Sequence, residues 1–206
     1  MGLSLLISTA AVAAVHVLGG PDHWLPFVAL GRAQGWRWHK LLLLTFLGGV
    51  GHVGSSIIIG SAGIGLGMLL KHLKAVEEFR GEIAGWLLIA FGTAYALWGI
   101  WRAEKREQAL SKAEVLATWT VVILLVLGPC EPLIPLMFLA IQSGWGAVLG
   151  VCLLFSVVTV AVMLSVVSAV YGGLLLLPVE KLERWTHAIA GGIITATGLS
   201  VMFLGL

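Results

Sequence analysis

Six side chains in this sequence are of types that can bind or transfer something and lie inside otherwise apolar stretches: His16, Asp22, His23, His52, Cys130 and Glu131. An acid at the centre of a membrane helix costs about 2.5–3.5 kcal/mol on insertion scales, so it faces the interior, finds a partner and marks an ion or proton path. Asp22 and Glu131 are read as the only two of the ten acids that lie that deep. His16, Asp22 and His23 form the pattern H-x5-D-H, and Gly19-Gly20-Pro21 between them lets the chain fold back on itself. On an unbroken helix residues 16 and 23 would stand two turns apart, too far for one ion. His52 sits in G-H-V-G-S-S, followed by Ser55 and Ser56. Imidazole, carboxylate and thiolate together suit a divalent transition ion such as Ni, Co, Zn or Cu. Mg or Ca would favour all-oxygen ligands.

These residues need elements to position them. The chain has 206 residues, 59% hydrophobic and 11% charged, with a mean hydropathy of +1.04. An average soluble domain carries roughly 25% charge. That excludes a soluble globule, a nucleic-acid binder and a disordered chain, and leaves an integral membrane protein. Its apolar stretches are continuous over about 20 residues, which indicates helices and not the alternating segments of an outer-membrane barrel. Six spans are expected, at about 3–30, 41–70, 83–101, 115–141, 145–171 and 186–205. Three of them carry Gly- or Pro-rich interruptions: Gly19-Gly20-Pro21-Asp22, Gly48-Gly49-Val50-Gly51-His52, and Gly128-Pro129-Cys130-Glu131-Pro132. The apolar N-terminal stretch has no basic residue before it, so it reads as a first span and not as a cleaved signal peptide.

Spans one and four share an element. Val17-Leu18-Gly19-Gly20-Pro21-Asp22-His23 aligns with Val126-Leu127-Gly128-Pro129-Cys130-Glu131, each followed by a further Pro. Asp22 falls on Cys130 and His23 on Glu131. Three spans separate the copies, so they enter the membrane from opposite sides, as in an inverted-topology repeat with broken helices meeting near the midplane. The expected fold is therefore all-α: a single transmembrane domain over 1–206, with repeat one about 1–101 and repeat two about 115–206.

Charges sit between the spans. With the N-terminus outside, the inner loops carry nine basic residues and the outer loops three, which places both termini outside. Residues 71–82 and 102–114 read as short surface helices with solvated charges. Cys152 has no polar neighbour and is expected to pack. His39, His72 and His187 are expected at the interface. The Trp residues at 24, 36, 38, 98, 101, 145 and 185 fit an aromatic belt. Gly63-x3-Gly67 and Gly146-x3-Gly150 read as helix-packing motifs.

The set His16, Gly20-Pro21-Asp22-His23, Gly51-His52 and Gly128-Pro129-Cys130-Glu131-Pro132 resembles the NicO and urease-accessory permease branch of the LysE/DsbD (TauE/SafE-like) transporter superfamily. Members carry His-x4-Asp-His in the first span and Gly-His-Ser in the second. Here the first spacing is one residue longer and the second motif reads Gly-His-Val. The resemblance implies nickel or cobalt transport with His16, Asp22, His23 and His52 as ligands. Cys130 shifts the choice toward softer ions, including Zn and Cu. On this reading the protein is no enzyme, and its partners are the lipid bilayer, the metal ion, and a metallochaperone or further copies of itself. A prokaryotic inner membrane is the expected location. Three other readings stay open: a small-solute or anion exporter, a thiol-electron conductor of the CcdA/DsbD type, and a membrane scaffold for metalloenzyme maturation. Electron conduction needs a cysteine at each break, and here the first break carries Asp22.

Overall fold

In a computed structural model, residues 2–105, 112–176 and 184–204 can be described, and these are entirely helical or turn. The elements are α1 (Leu3–Gly19), a single 3-10 turn (Pro21–His23), α2 (Leu25–Ala33), α3 (Trp38–Gly65), α4 (Leu70–Lys105), α5 (Lys112–Leu127), α6 (Leu133–Ile141), α7 (Trp145–Leu175) and α8 (Thr186–Leu204). Arg106 and Lys181, counted in the charge balance, lie outside the described residues. Among the described residues four helices, α3, α4, α7 and α8, are long and apolar enough to cross a membrane, and α1 is a shorter apolar helix. Many large apolar side chains point outward, among them Ile58, Trp86, Leu97, Trp119, Leu153 and Val157. A soluble protein does not leave so much apolar surface uncovered, and this is an outer face suited to lipid.

Two of the three expected interruptions are present. α1 ends at Gly19, and the chain turns at Pro21–His23 before α2. α5 ends at Leu127, and α6 begins at Leu133 after the Gly128–Pro132 link. Proline supplies both breaks, because it has no N–H to donate and its ring disfavours helix in the residue before it. The third expectation is corrected. α3 runs unbroken through Gly48, Gly49, Gly51 and His52. This stretch has no proline, and its glycines serve close approach instead. A Cβ on Gly51 would fall 2.4 Å from Val126 Cγ2, and one on Gly48 2.8 Å from Phe27 Cζ.

Residues 71–82 are not a separate surface helix but the first turns of α4, continuous with the apolar stretch that follows. The tightest packing in the molecule joins α4 to α8. A Cβ on Gly191 would meet Ala96 N at 2.3 Å, on Gly99 Ala188 N at 2.4 Å and on Gly92 Thr195 N at 2.5 Å. The two backbones touch, which only small residues permit. Of the expected packing motifs, Gly63 does join helices, since a Cβ there would fall 2.4 Å from Leu73 Cδ2 of α4, whereas Gly67 lies in a turn at φ +69° and Gly146 meets nothing within 4 Å. α1 packs on α7, α3 on α7 and α5, and α6 on α7. One apolar core gathers around Phe27, Leu30, Leu41, Met163 and Ile194, and a second around Val53, Leu133, Met137 and Phe155.

Candidate metal centre

Both helix breaks face the middle of α3, and the three expected histidines meet there. His23 Nε2 lies 3.1 Å from His16 Nε2 and 3.2 Å from His52 Nε2. The three donor nitrogens all lie within 4.8 Å of one another. His23 and His52 are buried and His16 is partly buried. The turn at Pro21–His23 does what a straight helix cannot: it swings His23 back over the end of α1 to reach His16.

The opposite ring nitrogens fix the tautomers. His52 Nδ1 lies 3.0 Å from the Leu125 carbonyl oxygen. His23 Nδ1 lies 3.0 Å from the Gly20 carbonyl and 3.0 Å from Asp22 Oδ1. A carbonyl and a carboxylate can only accept. Each Nδ1 therefore carries a hydrogen and donates it, which leaves the two Nε2 atoms facing each other. Two ring nitrogens 3.2 Å apart need a hydrogen or a metal ion between them. Histidines that ligate metals are held in this way, with the far nitrogen bound to a carboxylate or a backbone carbonyl. Zinc–nitrogen bonds of 2.0–2.1 Å at a tetrahedral angle put ligand nitrogens about 3.3 Å apart, close to both separations here.

Cys130 Sγ, fully buried, lies 3.8 Å from His16 Nε2, beside the group of three nitrogens and not within it. Both cysteines are free. Asp22 reaches the cluster through His23 Nδ1. Glu131 is exposed and lines a cavity of about 620 Å³ that opens onto His16 and His23. The break glycines and prolines Gly19, Gly20, Pro129 and Pro132 line the same cavity.

A set of residues missed in the sequence holds the second break in place. Glu77, only 1% exposed, accepts from the Cys130 N–H at 3.0 Å and from the Ser56 hydroxyl at 2.9 Å. Arg80 pairs with Glu77 and donates to Ser55 at 2.7 Å and to Ser56 and the carbonyls of Val126 and Gly128 at 3.2 Å each. These carbonyls lost their helical partners at the break. A second buried group lies at the far end of α4, where Arg102 and His187 meet Glu114, and Tyr95 Oη lies 2.8 Å from His187 Nδ1. The expectation that only Asp22 and Glu131 are deep acids is therefore corrected, since Glu77 and Glu114 are buried and Glu131 is exposed. Trp36 is also buried, donating from Nε1 to Gln34, and leaves the aromatic belt.

The stretch 70–105 carried a readable signal. Leu73, Glu77, Arg80, Ala84, Leu88, Tyr95 and Arg102 recur at three- and four-residue steps or multiples of them, all in phase with one face of a single helix.

No protein-family model, curated protein or solved structure matches this chain. The functional reading therefore rests on the site itself.

Proposed function

We propose that this chain is a membrane permease for a divalent transition-metal ion, bound by His16, His23, His52 and Cys130 between the two helix breaks. One observation carries the reading: a ring nitrogen from each of His16, His23 and His52 lies within 4.8 Å of the other two, while the Nδ1 atoms of His23 and His52 are held by oxygen acceptors. Asp22 orients His23 and supplies negative charge beside the ion. A set of three imidazoles and a thiol fits borderline ions. Nickel and cobalt are favoured by the motif likeness to the NicO branch, and zinc and copper fit the same donors. The carboxylates of the adjoining cavity favour a cation over an anion, which sets the anion-exporter reading aside.

The transport mode follows from the repeat. α1–α2, α3 and α4 make one three-span unit, and α5–α6, α7 and α8 its inverted counterpart, which gives six crossings with both termini outside. The helix pairings support this: α1 on α7 answers α5 on α3, α2 on α7 answers α6 on α3, while α3–α7 and α4–α8 map onto themselves. Rocking one unit against the other would expose the site to each side in turn. An inner-membrane setting in a prokaryote fits such a carrier.

Proteoliposomes enclosing a metal-sensitive dye test the reading. Purified protein should carry Ni²⁺ or Co²⁺ across the bilayer, and His52→Ala should reduce flux to the protein-free background. Equal flux in wild type and His52→Ala would overturn the site.

A further inference from the structure

We propose that Glu78, Glu82 and Glu131 form a cation-collecting vestibule that delivers hydrated divalent ions to the histidine cluster, an inference that rests on the metal-permease reading. The three carboxylates line one cavity whose floor is His16, Asp22 and His23. Among its described lining residues are four carboxylates and no lysine or arginine. The remaining wall is largely apolar, with Val15, Pro129, Pro132, Val201 and Met202. Charges of one sign in a cleft with low-dielectric walls focus the field and raise the local concentration of the opposite ion.

Two cations stand nearby, Arg80 and Lys74, against the four carboxylates. Arg80, two residues from both Glu78 and Glu82, turns away and spends its guanidinium on Glu77, Ser55, Ser56 and the carbonyls of the second break. Lys74 lines a smaller adjoining cavity, shared with Glu77, Glu78 and Glu131. Glu78 and Glu82 stand four residues apart on α4, a like-charge spacing that destabilises a helix by about 0.2–0.5 kcal/mol. Nothing in the packing of α4 requires that pair, since both side chains are exposed. The pointer to a ligand is separate from the acids: His16 and His23, which line the cavity, belong with His52 to a group of three imidazoles whose ligand nitrogens lie within 4.8 Å of one another. The vestibule and the site are thus two stages, capture by charge and then binding by nitrogen and sulfur.

The test is the initial rate of Co²⁺ flux in proteoliposomes against Co²⁺ concentration, at low and high KCl. The triple variant Glu78→Gln, Glu82→Gln, Glu131→Gln should raise KM about tenfold at low salt, the lower end of such steering effects, with kcat within twofold. Wild-type KM should rise with KCl, and the KM of the triple variant should barely respond. The single variant Glu82→Gln, which changes one exposed side chain, should give a smaller shift in the same direction. Unchanged KM and an unchanged salt response in these variants, with flux still abolished by His52→Ala, would overturn the vestibule and leave the metal site standing. Flux indifferent to His52→Ala would overturn both.

Discussion

Replacing Asp22 by asparagine separates a residue that orients a ligand from one that is a ligand. Asp22 Oδ1 and the Gly20 carbonyl each lie 3.0 Å from His23 Nδ1. Removing the carboxylate charge leaves Gly20 to accept the Nδ1–H, and the new amide oxygen can accept it as well. The tautomer is preserved, and Nε2 keeps its lone pair for the ion. What is lost is the basicity that the carboxylate lends to the ring and one negative charge beside the cation. Loss of such an outer partner costs about 10–100-fold in metal affinity, or about 1.4–2.8 kcal/mol. Because Gly20 remains, the expected loss lies near tenfold. Calorimetric titration of the detergent-solubilised protein with Co²⁺, at one pH and ionic strength, reads it directly. A loss beyond about a thousandfold would mean that Asp22 binds the ion itself, and an affinity within twofold of wild type would mean that the His23–Asp22 contact does nothing for the site. Either result refutes the tautomer argument.

Three further outcomes are expected. Arg80→Gln strands Glu77, a carboxylate 1% exposed, and breaking one half of a buried pair costs about 3–5 kcal/mol; thermal unfolding should show a large drop, with Arg80→Gln/Glu77→Gln losing less than the two single changes summed. Gly191→Ala and Gly92→Ala push a methyl against the backbone nitrogens of Ala96 and Thr195, so both should unfold at lower temperature by the equivalent of about 1–3 kcal/mol or more, whereas Gly146→Ala should be neutral. Metal affinity should fall on acidification, because each ligating histidine must be neutral and protons compete with the ion; affinity that rises on acidification would contradict imidazole ligation.

The cluster of His16, His23 and His52 was legible because a titratable side chain in an apolar span has no innocent surroundings, and Pro21 announced the turn that brings two of them together. Cys130 and its break were legible for the same reasons. Gly48–Gly51 misled, since glycine without proline permits a break but equally permits a close approach, and here Val126 and Phe27 fill the space a side chain would take. Glu77 and Arg80, like Glu114 and Arg102, stand in stretches of mixed charge that resemble solvated loops. For Glu77, Arg80 and Arg102 the phase they share with Leu73, Ala84 and Leu88 marks a common helix face, but which helix lies opposite that face is not written in the segment itself. The α4–α8 contact was hidden in a similar way. Gly85, Gly92 and Gly99 recur every seven residues, as do Gly191 and Gly198, and only the pairing of the two series gives them meaning.

The central claim is that three imidazole nitrogens and one thiolate converge on a single ion. X-ray absorption at the metal edge of the purified, zinc-loaded protein measures that directly. The account predicts one ion per chain, with nitrogen neighbours at about 2.0–2.1 Å and one sulfur at about 2.3 Å, the sulfur shell vanishing in Cys130→Ser. A purely oxygen shell, or no bound ion at all, would contradict it.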